Sequence, residues 1–450
     1  MRSGQLPIRL LVLAAAVSGC SREHYDEQMV YPVRTDMLVR QQESWGDVTP
    51  VAFNRPGILP LDALRMPEKD WPEGSDKLKA LIGKKLYDPT TISADVRGEY
   101  AKNLAEMFGT PAHPKVTGFE PVALKAVDES LTGDAVVQAL KLDEATLAEG
   151  SRHYRMHCLH CHGLEGNGRG PTGPWVNPPP RDYRLGIFKY TSSNQEQNSR
   201  KPRRDDILHI LAFGIEGTSM PSFNVLPLDE REKIASYVIH LSIRGEVEGQ
   251  TMTDQLYNAA QTKGAGGPKF TATVREDALK EPTMRQAMED NLALSAGRWA
   301  IAQKPESAVK WEQDRTGASE EDFLASAARG SKIFFGSCVQ CHQNFGRESN
   351  LIYDSWGTVV RGRNLYEGIY RGGRRPIDLY YRVHGGIEGA GMPAYKGIKA
   401  TLTAEAVGLT AAQFEQYDPL WDIVNFFKAV AYRDMRDKLR GEPYKVKLPD

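Results

Sequence analysis

The sequence predicts a mainly α-helical chain: two all-α domains in tandem, preceded by an irregular N-terminal extension and separated by a partly helical linker. Three observations carry that reading. Two stretches copy one another block by block, apolar residues recur at helical intervals at the end of each copy, and Pro and Gly clusters punctuate the chain outside them. A chain of 450 residues holds several units of ~100–200 residues. With 40% apolar and 26% charged residues it is no disordered polymer. A formal net charge of -1 removes the electrostatic basis for a general nucleic-acid binder. No apolar run reaches the ~18 residues of a spanning helix. Five cysteines are too few for a disulfide scaffold.

Residues 1–20 read as a signal segment. Arg2 and Arg9 precede the apolar run Leu10 to Val17, which is too short to cross a bilayer. The run ends in Val17-Ser18-Gly19-Cys20, which resembles a bacterial lipobox, with Cys20 as the residue that receives lipid. Several acyl chains on one cysteine give stable anchoring. The expectation is a lipid anchor in a bacterial cell envelope, on the periplasmic or outward-facing side. Residues 21–141 form the extension. Pro50, Pro56, Pro60, Pro67 and Pro72 break up its first part, and a weak helical pattern runs from Ser75 to Leu104. It reads equally as a wrap around the rest or as a tether.

The repeat then delimits the domains, 142–248 and 319–450. Gly150-Ser151-Arg152-His153-Tyr154 before Cys158-Leu159-His160-Cys161-His162 matches Gly330-Ser331-Lys332-Ile333-Phe334 before Cys338-Val339-Gln340-Cys341-His342. Arg181-Asp182-Tyr183 matches Arg363-Asn364-Leu365, and Gly214 to Pro221 matches Gly386 to Pro393. Each copy ends in a helix. Asp229 and Glu232 start the first and Gly245 stops it; Asp418 caps the second and Pro419 fits its first turn. The linker, 249–318, holds Gly264, Gly266, Gly267 and Pro268, then a helical stretch from Asp277 to Gln303.

Cys-x-x-Cys-His is the signature of covalent haem attachment. Cys158 with Cys161, and Cys338 with Cys341, are spaced to form thioethers to one porphyrin each, so two haem c groups are expected. His162 and His342 are then axial iron ligands. Met220 and Met392 lie in matching Gly-bearing loops, each followed by Pro, and supply the sixth ligands. His/Met ligation raises a haem potential relative to bis-His. One structural zinc shared by both pairs would explain neither Met loop. Arg181 and Arg363 are candidate partners of haem propionates. Arg203, Arg204, Arg374 and Arg375 divide between that role and a solvated face. His153, His157, His160 and His384 read as surface or packing residues.

At these residues the chain resembles class I cytochrome c, twice in tandem. The resemblance implies that the first and last helices of each copy cross, with Gly150 and Tyr154 meeting the Tyr237 helix and Gly330 and Phe334 the Trp421 helix. Pro180 to Tyr183 is similar to a block in cytochrome domains associated with haem-copper oxidases. It also implies that the Pro171 carbonyl accepts a hydrogen bond from the His162 ring. The second copy lacks that proline and carries an insert, Lys396 to Gln416, that sets its Met loop apart. The function implied is electron transfer, without catalysis, between a quinol-oxidising complex or dehydrogenase and a terminal oxidase or reductase, with respiratory redox proteins as partners. A dihaem peroxidase and a fixed subunit of a larger respiratory complex are the alternatives.

Overall fold

Two separate apolar cores organise the molecule, one drawn from Tyr31 to Ala300 and the other from Val309 to Leu448. The computed structural model describes residues 27–39, 69, 86–196, 199–261, 283–314 and 316–450. The signal segment with Cys20, and the Gly264 to Pro268 stretch, lie outside the described residues. Among the described residues no helix is long and apolar enough to cross a membrane.

The first core gathers on the extension. A two-residue ladder pairs β1 (Leu38–Val39) with β2 (Leu86–Tyr87). Three helices follow, α1 (Ala94–Phe108), α2 (Pro121–Val127) and α3 (Gly133–Leu140), each opened by a side chain that accepts from the first turn: Ser93, Glu120 and Thr132. Of the weak helical pattern from Ser75 to Leu104, residues 75–85 lie outside the described residues, Leu86 falls in β2 instead of a helix, and only the part from Ala94 onward is α-helical. Next come α4 (Glu144–His157), α5 (Leu159–His162), α6 (Arg204–Phe213), α7 (Leu228–Gln261) and α8 (Thr283–Gln303). The extension and α8 pack on α7. The Tyr31 and Tyr237 hydroxyls lie 2.7 Å apart, the Arg34 amide donates to Glu248 at 2.8 Å, and the fully buried Trp299 donates its indole N–H to Glu246 at 3.0 Å.

α4 crosses α7 at Gly150, where a Cβ would lie 2.2 Å from the Lys233 carbonyl oxygen. Only glycine permits that approach. Beside it the Tyr154 and Tyr237 rings meet with centroids 5.2 Å apart. One expectation fails in this region. Gly245 does not end the last helix, and the boundary at 248 falls inside α7. Gly245 serves a contact instead: a Cβ there would sit 2.3 Å from the Arg184 Cα, so glycine lets the 183–186 turn lie on the helix.

The second core repeats the crossing. Its helices are α9 (Glu320–Ser337), α10 (Pro376–Gly385), two short ones in the insert, α11 (Ala404–Val407) and α12 (Ala411–Glu415), then α13 (Pro419–Val430) and α14 (Arg433–Arg440). Ser319 caps α9 and Asp418 caps α13, and these two helices cross. A Cβ at Gly330 would lie 1.9 Å from the Asp422 carbonyl oxygen, and Phe334 meets Phe426 with centroids 5.1 Å apart. The buried Asp422 carboxylate is answered by Arg329 at 2.8 Å and by Ser326 and Tyr417 at 2.5 Å. A short antiparallel hairpin, β3 (Leu351–Tyr353) and β4 (Val359–Arg361), stands where the first half has its Gly- and Pro-rich loop.

Candidate haem-binding site

Each Cys-x-x-Cys-His motif begins where its first helix ends. The His162 amide donates to the Cys158 carbonyl at 2.9 Å, and the His342 amide to that of Cys338 at 2.9 Å. The two motifs therefore wind the same single turn. One cavity of about 1030 Å³ lies beside them, lined by Cys158, Cys161, His162 and Met220 of the first half and by His342 and Met392 of the second. That volume sits at the top of the ~300–1,000 Å³ range of cofactor and ligand sites. The second pair of cysteines is placed differently from the first: Cys338 is buried, Cys341 is exposed, and neither lines the cavity.

The histidines are held differently. The His162 Nδ1–H donates to the Arg181 carbonyl at 3.0 Å, and Tyr183 stacks on the ring with centroids 4.7 Å apart. Burial lowers the His162 pKa to about 4, which keeps the ring neutral, the form in which imidazole binds metal. This corrects the expected acceptor, the Pro171 carbonyl. The loop around Pro171 instead closes the motif turn. The Gly168, Gly170 and Thr172 amides donate to the His162, Cys161 and His160 carbonyls at 2.9, 3.1 and 2.8 Å. They satisfy the open end of that turn. A Cβ at Gly170 would lie 2.3 Å from the Leu159 carbonyl oxygen, which explains the glycine.

In the second half the buried His342 Nδ1 has no hydrogen-bond partner among the described residues. The chain turns away from it through three left-handed residues, Asn344 (φ 45°), Phe345 (φ 59°) and Gly346 (φ 91°). Two of these carry side chains, which makes the turn strained. Burial also lowers the His342 pKa.

The methionine loops are built alike, insert notwithstanding. α6 and α10 each start where a carboxylate, Asp206 or Asp378, accepts from a backbone amide, that of Arg203 at 2.8 Å or Arg375 at 3.1 Å. Each ends at a left-handed glycine, Gly214 or Gly386. The Ile215 amide then donates to the Met220 carbonyl at 3.1 Å, and the Ile387 amide to that of Met392 at 3.0 Å. Phe223 and Tyr395 return to the helix through the Leu211 and Val383 carbonyls.

Arg181, Lys189, Arg363, Arg371 and Arg382 also line the cavity. Burial lowers the pKa of Arg181, Arg371 and Arg382, and that of Lys189 to about 8. An anion in the cavity relieves that penalty. Arg181 lies 3.7 Å over the Trp356 ring, and Arg363 is 3.4 Å from Glu367. Arg204 is structural: it donates to the Leu140 carbonyl and Ser236 hydroxyl, both at 2.8 Å. Arg203 and Arg375 open helices, and Arg374 lies 3.8 Å from Glu216. His153 is buried 3.4 Å from Glu230, His157 and His160 line the cavity, and His384 stacks on Tyr380.

Two residues at the contact between the halves escape sequence reasoning. Arg200 reaches from the first half to Gly385 and Gly386, and Trp356 donates its indole N–H to the Asp182 carbonyl at 2.9 Å. Trp356 had a faint signal: like Trp175 in the first copy, it follows its motif histidine closely. Arg200 had none.

No curated protein sequence matches the chain. Among solved structures it is similar to a chain of a reducing HAO-like protein complex of Kuenenia stuttgartiensis, at 18% identity over 63% of this chain and 96% of that chain, with a TM-score of 0.40. At that score the likeness bears on neither fold nor function. The family model described as cytochrome c matches residues 147–242. That stretch, which holds Cys158, Cys161, His162 and Met220, is a cytochrome c domain, a unit that carries electrons on covalently bound haem.

Proposed function

We propose that the protein is a lipid-anchored dihaem c-type cytochrome that carries electrons between a quinol-oxidising respiratory complex or dehydrogenase and a terminal oxidase or reductase. The observation that carries this reading is the single cavity lined by the histidine and methionine of both repeats. Cys158 and Cys161 hold one haem by thioethers, and Cys338 and Cys341 the other. His162 with Met220, and His342 with Met392, would ligate the two irons. Bound haem supplies the one-electron exchange between ferric and ferrous iron. The chain tunes it: the Arg181 carbonyl orients His162 and strengthens it as a donor, and the methionine thioethers favour the ferrous state. Arg181 and Arg363 offer guanidinium groups to the propionates. Cys20 carries the lipid, which puts the protein in the bacterial envelope on the periplasmic or outward-facing side.

The test is an optical spectrum of protein matured outside the cytoplasm, oxidised and reduced, with and without carbon monoxide, with haem counted in the same sample. Two low-spin c haems per chain that ignore the gas are expected. A haem that binds it has an open sixth position, and the peroxidase reading then displaces this one.

A further inference from the structure

The two halves meet at each other's iron-ligand segments. Arg200 belongs to the first half and is only 3% exposed. Its guanidinium donates to the Gly385 carbonyl, and to that of Gly386 at 3.3 Å, and lies 3.3 Å from the Glu388 carboxylate. Gly385 ends α10 and Glu388 lies inside the loop that carries Met392. A cation at the open carbonyls of a helix C-terminus meets both their unmet hydrogen bonds and the helix dipole. The fit leaves no slack: a Cβ at Gly385 would lie 1.9 Å from the guanidinium.

The same loop touches the first half again through Trp356. The Ser355 amide donates to the Gly389 carbonyl at 2.8 Å, and a Cβ at Gly389 would lie 2.7 Å from the Trp356 ring. That ring lies 3.7 Å under Arg181 and bonds the Asp182 carbonyl, next to the carbonyl that accepts from His162. Contacts thus run without a break from Arg200 through the Met392 loop and Trp356 to the histidine of the first site.

We infer that Arg200 is a positioning residue for Met392, so that the second iron site is held closed by a side chain of the first half. The inference rests on the dihaem His/Met reading above. Arginine suits this place because its planar fork serves two carbonyls and a carboxylate together, which a lysine ammonium does not.

The experiment uses the full chain, matured with haem. Arg200→Ala, Arg200→Lys and Glu388→Gln are compared with the parent by haem count, by the sulfur-to-iron charge-transfer band of the ferric protein, and by spectroelectrochemical titration. Arg200→Ala is expected to keep two haems, lose one haem's share of the band and lower one potential. Arg200→Lys falls between it and the parent. Glu388→Gln removes one partner without changing shape and tests the brace should Arg200→Ala fail to fold; a weakened band in the same haem is expected. An unchanged band and unchanged potentials in Arg200→Ala, or in Glu388→Gln where the first does not fold, overturn the inference. A parent that lacks the band or carries another haem count overturns the dihaem His/Met reading itself, and the inference with it.

Discussion

The two halves carry one motif at one spacing, yet its histidine meets different surroundings in each. His162 is gripped twice, by the Arg181 carbonyl at 3.0 Å and by the stacked Tyr183 ring. His342 has neither: Leu365 stands in the place of Tyr183, and its buried Nδ1 finds no acceptor among the described residues. The tryptophans part in the same way. Trp175 is 74% exposed, while Trp356 is tucked under Arg181 of the other half. The motif spacing therefore governs the turn that presents the cysteines and the histidine. The second contact of the histidine ring comes from whatever chain passes behind it, and there the copies have diverged. A ring that donates to a carbonyl is the stronger iron donor. On the dihaem reading proposed above, the two sites are therefore expected to differ in potential.

The largest expected effect separates the halves outright. On the proposed dihaem reading, Cys158→Ala with Cys161→Ala should remove one haem, lowering the haem-to-protein ratio from two to one and leaving the other spectrum intact. Loss of both haems would show that the halves do not mature independently. Ligand exchange comes next. Met220→His and Met392→His should each keep the haem covalently bound and low-spin and lower its potential, within the ~0.8 V span that axial ligands command. Spectroelectrochemistry should show a different wave moving in each variant; if the same wave moves, or none, the methionine assignment is wrong.

The helix crossings give a third contrast. A methyl group at Gly150 or Gly330 would meet backbone oxygen at 2.2 or 1.9 Å, and backbone cannot swing aside. The cost should reach the upper end of the ~1–3 kcal/mol typical of overpacking, or exceed it. Gly330→Ala should be the worse of the two, since its contact is closer and the second crossing lacks the extension helices that brace the first. Denaturant unfolding of both variants reads the difference; equal losses would deny the extension its bracing role.

Much of this organisation is legible in residue types. The repeat blocks and the cavity-lining histidines and methionines announce themselves by spacing, and the crossing glycines follow from the resemblance to class I cytochrome c. What escapes is carried by groups without a residue signature. The acceptor for His162 is a backbone carbonyl, which any residue supplies, so the loop's proline pointed to the wrong one. Gly245 looks like a stop, but a glycine needed for close approach within a helix reads the same way. The helices α1 to α3 are short and lie outside both repeats, so no second copy points to them, although Tyr100, Leu104 and Phe108 do recur at helical spacing. Arg200 was one more basic residue until the fold put it against another half's glycines.

The smallest effect tests how the extension is attached. His240 sits on α7, fully buried, and its Nε2 lies 3.1 Å from both the Phe108 and the Lys115 carbonyls. Those acceptors require a proton on Nε2, while the buried Nδ1 has no hydrogen-bond partner among the described residues, so a second proton there would go unanswered and the neutral ring is the form that ties α1 and its following turn to α7. Burial is the main cause that lowers its pKa from 6.5 to about 4. A base whose folded pKa lies below its unfolded value stabilises the fold fully above pH 6.5 and loses that contribution as the pH falls through 4, because the unfolded chain takes up the proton first. The loss is about 3 kcal/mol. The second half has Ala429 at the matching place on its own crossing helix, but burial also lowers the pKa of His162 and His384 to about 4 and lowers that of His342, so global unfolding mixes several sources. Hydrogen exchange resolves them. Lowering the pH from 7 toward 4 should speed exchange in α1, and His240→Gln, which keeps a donor and cannot titrate, should remove that dependence. If α1 loosens equally in the variant, another group titrates beneath the extension and His240 is not the tie.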